Sequence, residues 1–446
     1  MNDWLVMLFL GADNDLFQFG QDLLDEATKV GSSDRIAVVA ELDPTTPGAE
    51  TLRGPLLPGR REMTKIGVTN GDASTILNFV EDSRARYEAH NRALILWDHG
   101  NGWQNVHVFD KIVDAVKTVK ERHGLHDAAE ENEAAEPLFL NDLKTVLDPD
   151  RGIGIVGYDA CLMSLIEVAF QLRDTAQFMI ASQNVVPAAR GWAYEALLRT
   201  LTMNPRMSAE DLVCAAVDTF AGSYNGSDDP VTLTGLRLSS EVDRAVAAID
   251  SFSQELLDTI ALSDAGTDTV DVRSEIVYAR RLTQSFGNPD YIDLRSFCDQ
   301  IQKRLPAVRR LNRMAEYVKS AVDRLVVRHT RSSAASIANA NGVSIYFPQT
   351  FPGARIAETY ANLDFADPFY CRWARFLAAI VEGADAEQQS EHRGMPAAIP
   401  AATSATPPTH SAPAPAVAQA HCGCVGCGVP AEPYPAAVSR RKTATR

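Results

Sequence analysis

Leu94-Ile95-Leu96-Trp97-Asp98-His99-Gly100-Asn101-Gly102-Trp103 reads as a buried strand that runs straight into a histidine and a glycine. The same pattern returns at Gly154-Ile155-Val156-Gly157-Tyr158-Asp159-Ala160-Cys161-Leu162-Met163, where a strand runs into a cysteine. Continuous apolar runs of this kind suit strands covered on both faces, because neither face meets water. Trp4–Leu10, Ile36–Leu42, Ala93–Trp97, Ile153–Tyr158 and Phe178–Ser182 are the expected strands, with helical patterns between them at Ala73–His90 and Leu162–Asp174. Strands alternating with helices predict an α/β fold, a mostly parallel sheet flanked by helices.

In an open sheet of this class, ligands sit beyond the carboxyl ends of the strands. His99 and Cys161 both lie at such ends. Cys161 is read as the start of a helix whose face carries Leu162, Leu165, Ile166, Ala169 and Leu172. The thiolate is the reactive form of cysteine, and a helix N-terminus and a nearby imidazole both lower a thiol pKa. His99 is then suited to orient the pair and to protonate a leaving amine. Gly100 has no side chain, so its N–H can join that of Cys161 in an oxyanion hole. The plainer reading makes Cys161 a small core residue. Cys214, Cys298 and Cys371 have no comparable setting and are read as core cysteines.

The 446 residues predict two domains plus extras. Residues 1–240 form the strand–helix part. Residues 241–382 carry long amphipathic patterns, Val242–Leu262 and Leu294–Arg328, and a strand at Val343–Phe347, and are read as a second, mainly helical domain. Residues 383–446 are rich in Ala, Pro, Ser and Thr and predict a disordered tail. Its cluster His421, Cys422, Cys424 and Cys427 is a candidate for a thiophilic metal. The formal net charge of −16 makes nucleic acid or an anionic membrane a poor partner. The early apolar run falls short of the ~20 residues that span a bilayer, and it has no basic flank or cleavage site. The expectation is a cytoplasmic protein, with secretion left open. The long segment between Asn101 and Pro137 carries Lys111, Lys117, Lys120 and Arg122, and loops of that length are often functional.

The His-Gly and Ala-Cys pairs, each after a strand, resemble the caspase-like clan of cysteine peptidases, and more closely the clostripain family. The resemblance covers most of residues 1–380 and includes Gly11-Ala12-Asp13-Asn14-Asp15-Leu16, Gly191-Trp192, Tyr291-Ile292-Asp293-Leu294 and Gly342-Val343-Ser344-Ile345-Tyr346-Phe347-Pro348. It implies a caspase-like fold, a His99–Cys161 dyad, a peptide or protein substrate, and cleavage after Arg or Lys. It also implies self-cleavage in the 104–137 loop, giving a monomer or two fragments that stay associated. No cofactor is required by the chemistry, and calcium is possible by resemblance. Family members use an acidic residue two positions before the nucleophile to hold a basic side chain, which is Asp159 here. Asp is also a preferred helix N-cap, so Asp159 has a structural reading as well. Where the family often has an acidic residue before Gly191-Trp192, this chain has Pro187-Ala188-Ala189-Arg190, and Arg190 is positioned in sequence to neutralise Asp159 or to block the pocket. A related transpeptidase and a non-catalytic binding module on the same fold are the alternatives.

Overall fold

Strands and helices alternate through the first half of the chain in the computed structural model, which describes residues 1–12, 16–43, 49–69, 73–104, 143–144, 147, 149–265, 271–350 and 354–380. The first strands are β1 (Asn2–Leu10), β2 (Ile36–Leu42), β3 (Leu52–Leu57), β4 (Arg60–Arg61), β5 (Thr64–Lys65) and β6 (Ala89–Trp97). They are followed by β7 (Ile155–Asp159), β8 (Phe178–Ala181) and β9 (Thr232–Arg237). The later strands are β10 (Tyr291–Asp293), β11 (Val326–Arg331) and β12 (Ser344–Tyr346). One ten-stranded sheet runs in the order β11-β9-β8-β7-β6-β1-β2-β3-β4, with β5 on β3. Its middle, β2-β1-β6-β7-β8, is parallel, and β3, β9 and β11 pair antiparallel outside it. The mostly parallel sheet expected from the apolar runs is present.

Both faces are covered, which is why those runs carry no polar alternation. Ala93, Ile95 and Trp97 of β6 pack in one cluster with residues of α1 (Phe17–Thr28), α4 (Tyr194–Met203) and α5 (Ala209–Ser223). Leu94 and Leu96 point to the opposite cluster, beside α2 (Ala73–Arg86), α3 (Ile166–Gln171) and α6 (Ser239–Asp264). That second cluster continues into α7 (Val272–Leu282), α8 (Leu294–Arg304) and α9 (Arg309–Leu325). Residues 241–380 are mainly helical, yet they also give the sheet its edge strand β11.

Three expected elements are corrected. The helix from Ala73 stops at Arg86 rather than His90, because β6 starts at Ala89 and draws His90–Arg92 into the sheet. Leu294–Arg328 is two helices, broken at Leu305-Pro306, with its last residues already in β11. The helix expected over Leu162–Asp174 covers only Ile166–Gln171, with Leu165 as its extended N-cap. Among the described residues no helix is long and apolar enough to cross a membrane. The tail cluster His421, Cys422, Cys424 and Cys427 lies outside the described residues, as do Lys111, Lys117, Lys120 and Arg122.

Candidate active site

The pairing register brings the two strand-end motifs together. β6 and β7 are parallel neighbours with Trp97 opposite Asp159. His99 and Cys161 each follow that pair by two residues, on strands about 4.8 Å apart. Both side chains are buried, and both line one narrow recess. Gly100 is needed at this junction. A Cβ there would lie 2.3 Å from the Cys161 carbonyl oxygen and 3.0 Å from its amide nitrogen, so only glycine lets the two loops touch. The Asp98 carboxylate accepts the His99 backbone N–H at 2.6 Å and fixes the main chain that carries the imidazole.

Cys161 does not open a helix. Three residues lie between it and Leu165, and a helix dipole acts only within its first turn, so the helix N-terminus expected at the thiol is absent. The Val186 N–H instead points at Sγ from 3.4 Å. Leu162 follows with φ +62°, the one non-glycine residue among the described residues with positive φ. An L-residue there costs about 1 kcal/mol, which the surroundings must hold in place. They do so from two sides. Leu162 N–H donates to Asn184 O at 3.2 Å, and Ser164 N–H to Ser182 O at 2.8 Å. From the other side Ser344 N–H reaches Ser164 O at 2.9 Å, and the Ser164 hydroxyl reaches Gly342 O at 2.6 Å.

A buried polar network ties those two clamps together. Gln183 donates from Nε2 to Asp293 Oδ2 at 3.1 Å and to Ser344 Oγ at 3.0 Å, and accepts the Gly342 N–H at 2.6 Å. Asp293 caps α8 through Ser296 N–H at 2.7 Å and accepts Asn341 N–H at 2.6 Å. The segments Tyr291–Leu294 and Gly342–Phe347 thus support the cysteine loop from a distance in sequence. On the histidine side, the Tyr291 hydroxyl donates to Asn101 O at 2.6 Å, and Asn288 Nδ2 reaches Asn101 Oδ1 at 3.1 Å and Gln104 Oε1 at 3.0 Å.

Asp159 lies in the same recess, beside Cys161 and His99. It does not cap a helix. Its Oδ2 accepts the Trp192 N–H at 3.1 Å and the Tyr194 hydroxyl at 3.0 Å, while Oδ1 is buried with no hydrogen-bond partner. Burial raises its pKa from the ordinary 3.8 to about 7, against the lowering effect of those two donors. Gly191, at φ +50°, passes so close that a Cβ would meet Oδ2 at 2.8 Å.

Arg190 is turned away from Asp159. Its guanidinium lies over the Tyr224 ring at 4.6 Å, sits 3.9 Å from Asp229 and donates to Ser223 O. The expected neutralisation of Asp159 by Arg190 is therefore not found. Sequence pattern marked neither Tyr194, Val186 nor Gln183, because each acts through a contact across the fold. Cys298 and Cys371 are fully buried with thiols pushed up by desolvation, and Cys214 is only partly buried, which fits inert packing. Among the described residues no group of three or more His, Cys, Asp or Glu is placed to hold a metal ion, so no calcium ligands are assigned.

Comparison with known proteins agrees with the fold. The profile of the clostripain family matches residues 9–377. Clostripain from Hathewaya histolytica is 23% identical over 236 residues, which are 49% of this chain and 41% of clostripain, so the match spans less than half of that relative. An inactive protease zymogen from Parabacteroides distasonis shares the fold with a TM-score of 0.57 and 16% identity, over 83% of this chain and 98% of that one. A secreted cysteine protease from Bacteroides thetaiotaomicron, solved with an irreversible peptide inhibitor, does so with a TM-score of 0.57 and 15% identity, over 82% of this chain and 99% of that one.

Proposed function

The chain belongs to the clostripain family, and from that premise we propose that it is a cysteine endopeptidase that cuts after Lys or Arg with Cys161 and His99. The observation that carries this reading is the register of β6 on β7, which puts histidine, cysteine and a buried carboxylate in one recess. Sγ of Cys161 attacks the scissile carbonyl and gives its proton to His99. The N–H groups of Gly100 and Cys161 receive the oxyanion. His99 then protonates the leaving amine, and a thioester remains on Cys161. His99 next takes a proton from water, and the resulting attack releases the acid. An amine in place of that water would give transpeptidation.

Asp159 supplies the preference for a basic side chain, and Arg190 leaves it free to do so. The 104–137 loop is proposed as the self-cleavage segment, at Lys111, Lys117, Lys120 or Arg122. Gln104, where that loop departs, is held by Asn288 and Tyr291 on the histidine side of the recess. The test is hydrolysis of matched peptides with Lys, Arg, Asp or Leu before the scissile bond. Wild type should favour Lys and Arg, while Cys161→Ala and His99→Ala should each lose nearly all cleavage yet unfold normally. Substantial activity in Cys161→Ala would remove the assignment.

A further inference from the structure

The two oxygens of the pocket carboxylate are not equivalent. Oδ2 already accepts two hydrogen bonds, from Trp192 N–H at 3.1 Å and Tyr194 Oη at 3.0 Å. A carboxylate oxygen offers about two lone-pair directions, so Oδ2 is saturated. Oδ1 is buried with none. Tyr194 itself is buried, stacked beside Trp192 with ring centroids 6.3 Å apart, and its hydroxyl has no freedom to leave without becoming an orphan.

This asymmetry separates the two basic side chains. A guanidinium binds a carboxylate best as a fork, with one N–H on each oxygen. An ammonium is a compact point charge with rotatable donors and needs only one. We propose that Tyr194 is a specificity-determining positioning residue: by occupying Oδ2 it leaves a one-oxygen acceptor, so this pocket favours Lys over Arg before the scissile bond. The inference rests on the proposed role of Asp159 as the floor of that pocket and sharpens it. Tyr194 touches no substrate, and its whole effect passes through Asp159.

The test compares kcat/KM on matched Lys, Arg and Leu peptides for the full chain and for Tyr194→Phe across a pH series. Because losing the Tyr194 hydrogen bond raises the Asp159 pKa further, each Lys:Arg ratio is read on the high-pH plateau of its own profile. Wild type should cleave the Lys peptide faster than the Arg peptide. Tyr194→Phe opens Oδ2 to the fork, so the Lys:Arg ratio should move toward Arg by about tenfold, the worth of one charge-assisted hydrogen bond. A purely structural loss would lower both rates together and leave the ratio unmoved. A basic preference whose Lys:Arg ratio is the same in both proteins, or a wild type that prefers Arg, would overturn the role of Tyr194 while sparing that of Asp159. Equal rates on Leu, Lys and Arg in wild type would overturn both. Should Tyr194→Phe fail to fold, competitive inhibition of wild type by n-butylamine and n-butylguanidine decides. The amine should bind more tightly, and tighter binding of the guanidine refutes the proposal.

Discussion

Replacing Asp159 by asparagine keeps the shape of the pocket wall and removes its charge. One amide oxygen can still accept from Trp192 N–H and Tyr194, as Oδ2 does at 3.1 and 3.0 Å. The NH2 then stands where Oδ1 has no partner. The folded state holds the wild-type proton up to about 7, whereas the unfolded chain releases it near 3.8. Wild-type stability from this group is therefore full below 3.8 and is lost as pH rises to about 7. At about 1.4 kcal/mol per pH unit, the ionised carboxylate costs the fold at most roughly 4 kcal/mol above that window. The asparagine pays no such cost, but its orphan NH2 loses about 1–3 kcal/mol at every pH. Asp159→Asn should thus gain about 2–4 kcal/mol relative to wild type between about pH 4 and pH 8. Urea unfolding across that range, with both proteins carrying Cys161→Ala to prevent self-digestion, measures it. The same substitution should abolish the Lys and Arg preference, so stability and specificity move in opposite directions. A stability difference that is flat with pH, or that falls as pH rises, would refute the buried-carboxylate account.

Gln183→Leu removes donors and an acceptor from Asp293, Ser344 and Gly342, and should cost about 2–4 kcal/mol in chemical denaturation while lowering kcat through a loosened cysteine loop. Arg190→Ala should leave the basic preference within about twofold, since a half-exposed cation held by Asp229 and Tyr224 adds little at the pocket; peptide rates check this. Purified wild type should convert into two co-purifying fragments cut at Lys111, Lys117, Lys120 or Arg122, and Cys161→Ala should stay whole. Terminal sequencing of the fragments identifies the bond.

The sheet was legible because both of its faces are covered. Trp4–Leu10 and Ile36–Leu42 are uninterrupted apolar runs, and each forms a strand with nearly those bounds. Helix limits were less legible where tertiary pairing overrides local pattern. Leu162 to Leu165 have helical spacing, but backbone bonds to Ser182, Asn184 and Ser344 hold them out of the helix. Cys161 and His99 could be singled out because each ends an apolar strand. The asymmetry of Asp159 could not, because Tyr194 reaches it from 35 positions away and local periodicity carries no trace of such a contact. The absence of Arg190 from the pocket was hidden for the same reason, since Asp229 and Tyr224 lie more than a helix further along the chain.

The most direct measurement of the central claim is covalent labelling by a peptide with Lys next to a thiol-reactive electrophile, followed by mass mapping. One equivalent should attach at Cys161, with Cys214, Cys298 and Cys371 unmodified over the same interval, and His99→Ala should slow that reaction by at least about a hundredfold. Labelling spread over the cysteines in proportion to exposure, or a Cys161 rate indifferent to His99, would identify an inert scaffold and contradict the account.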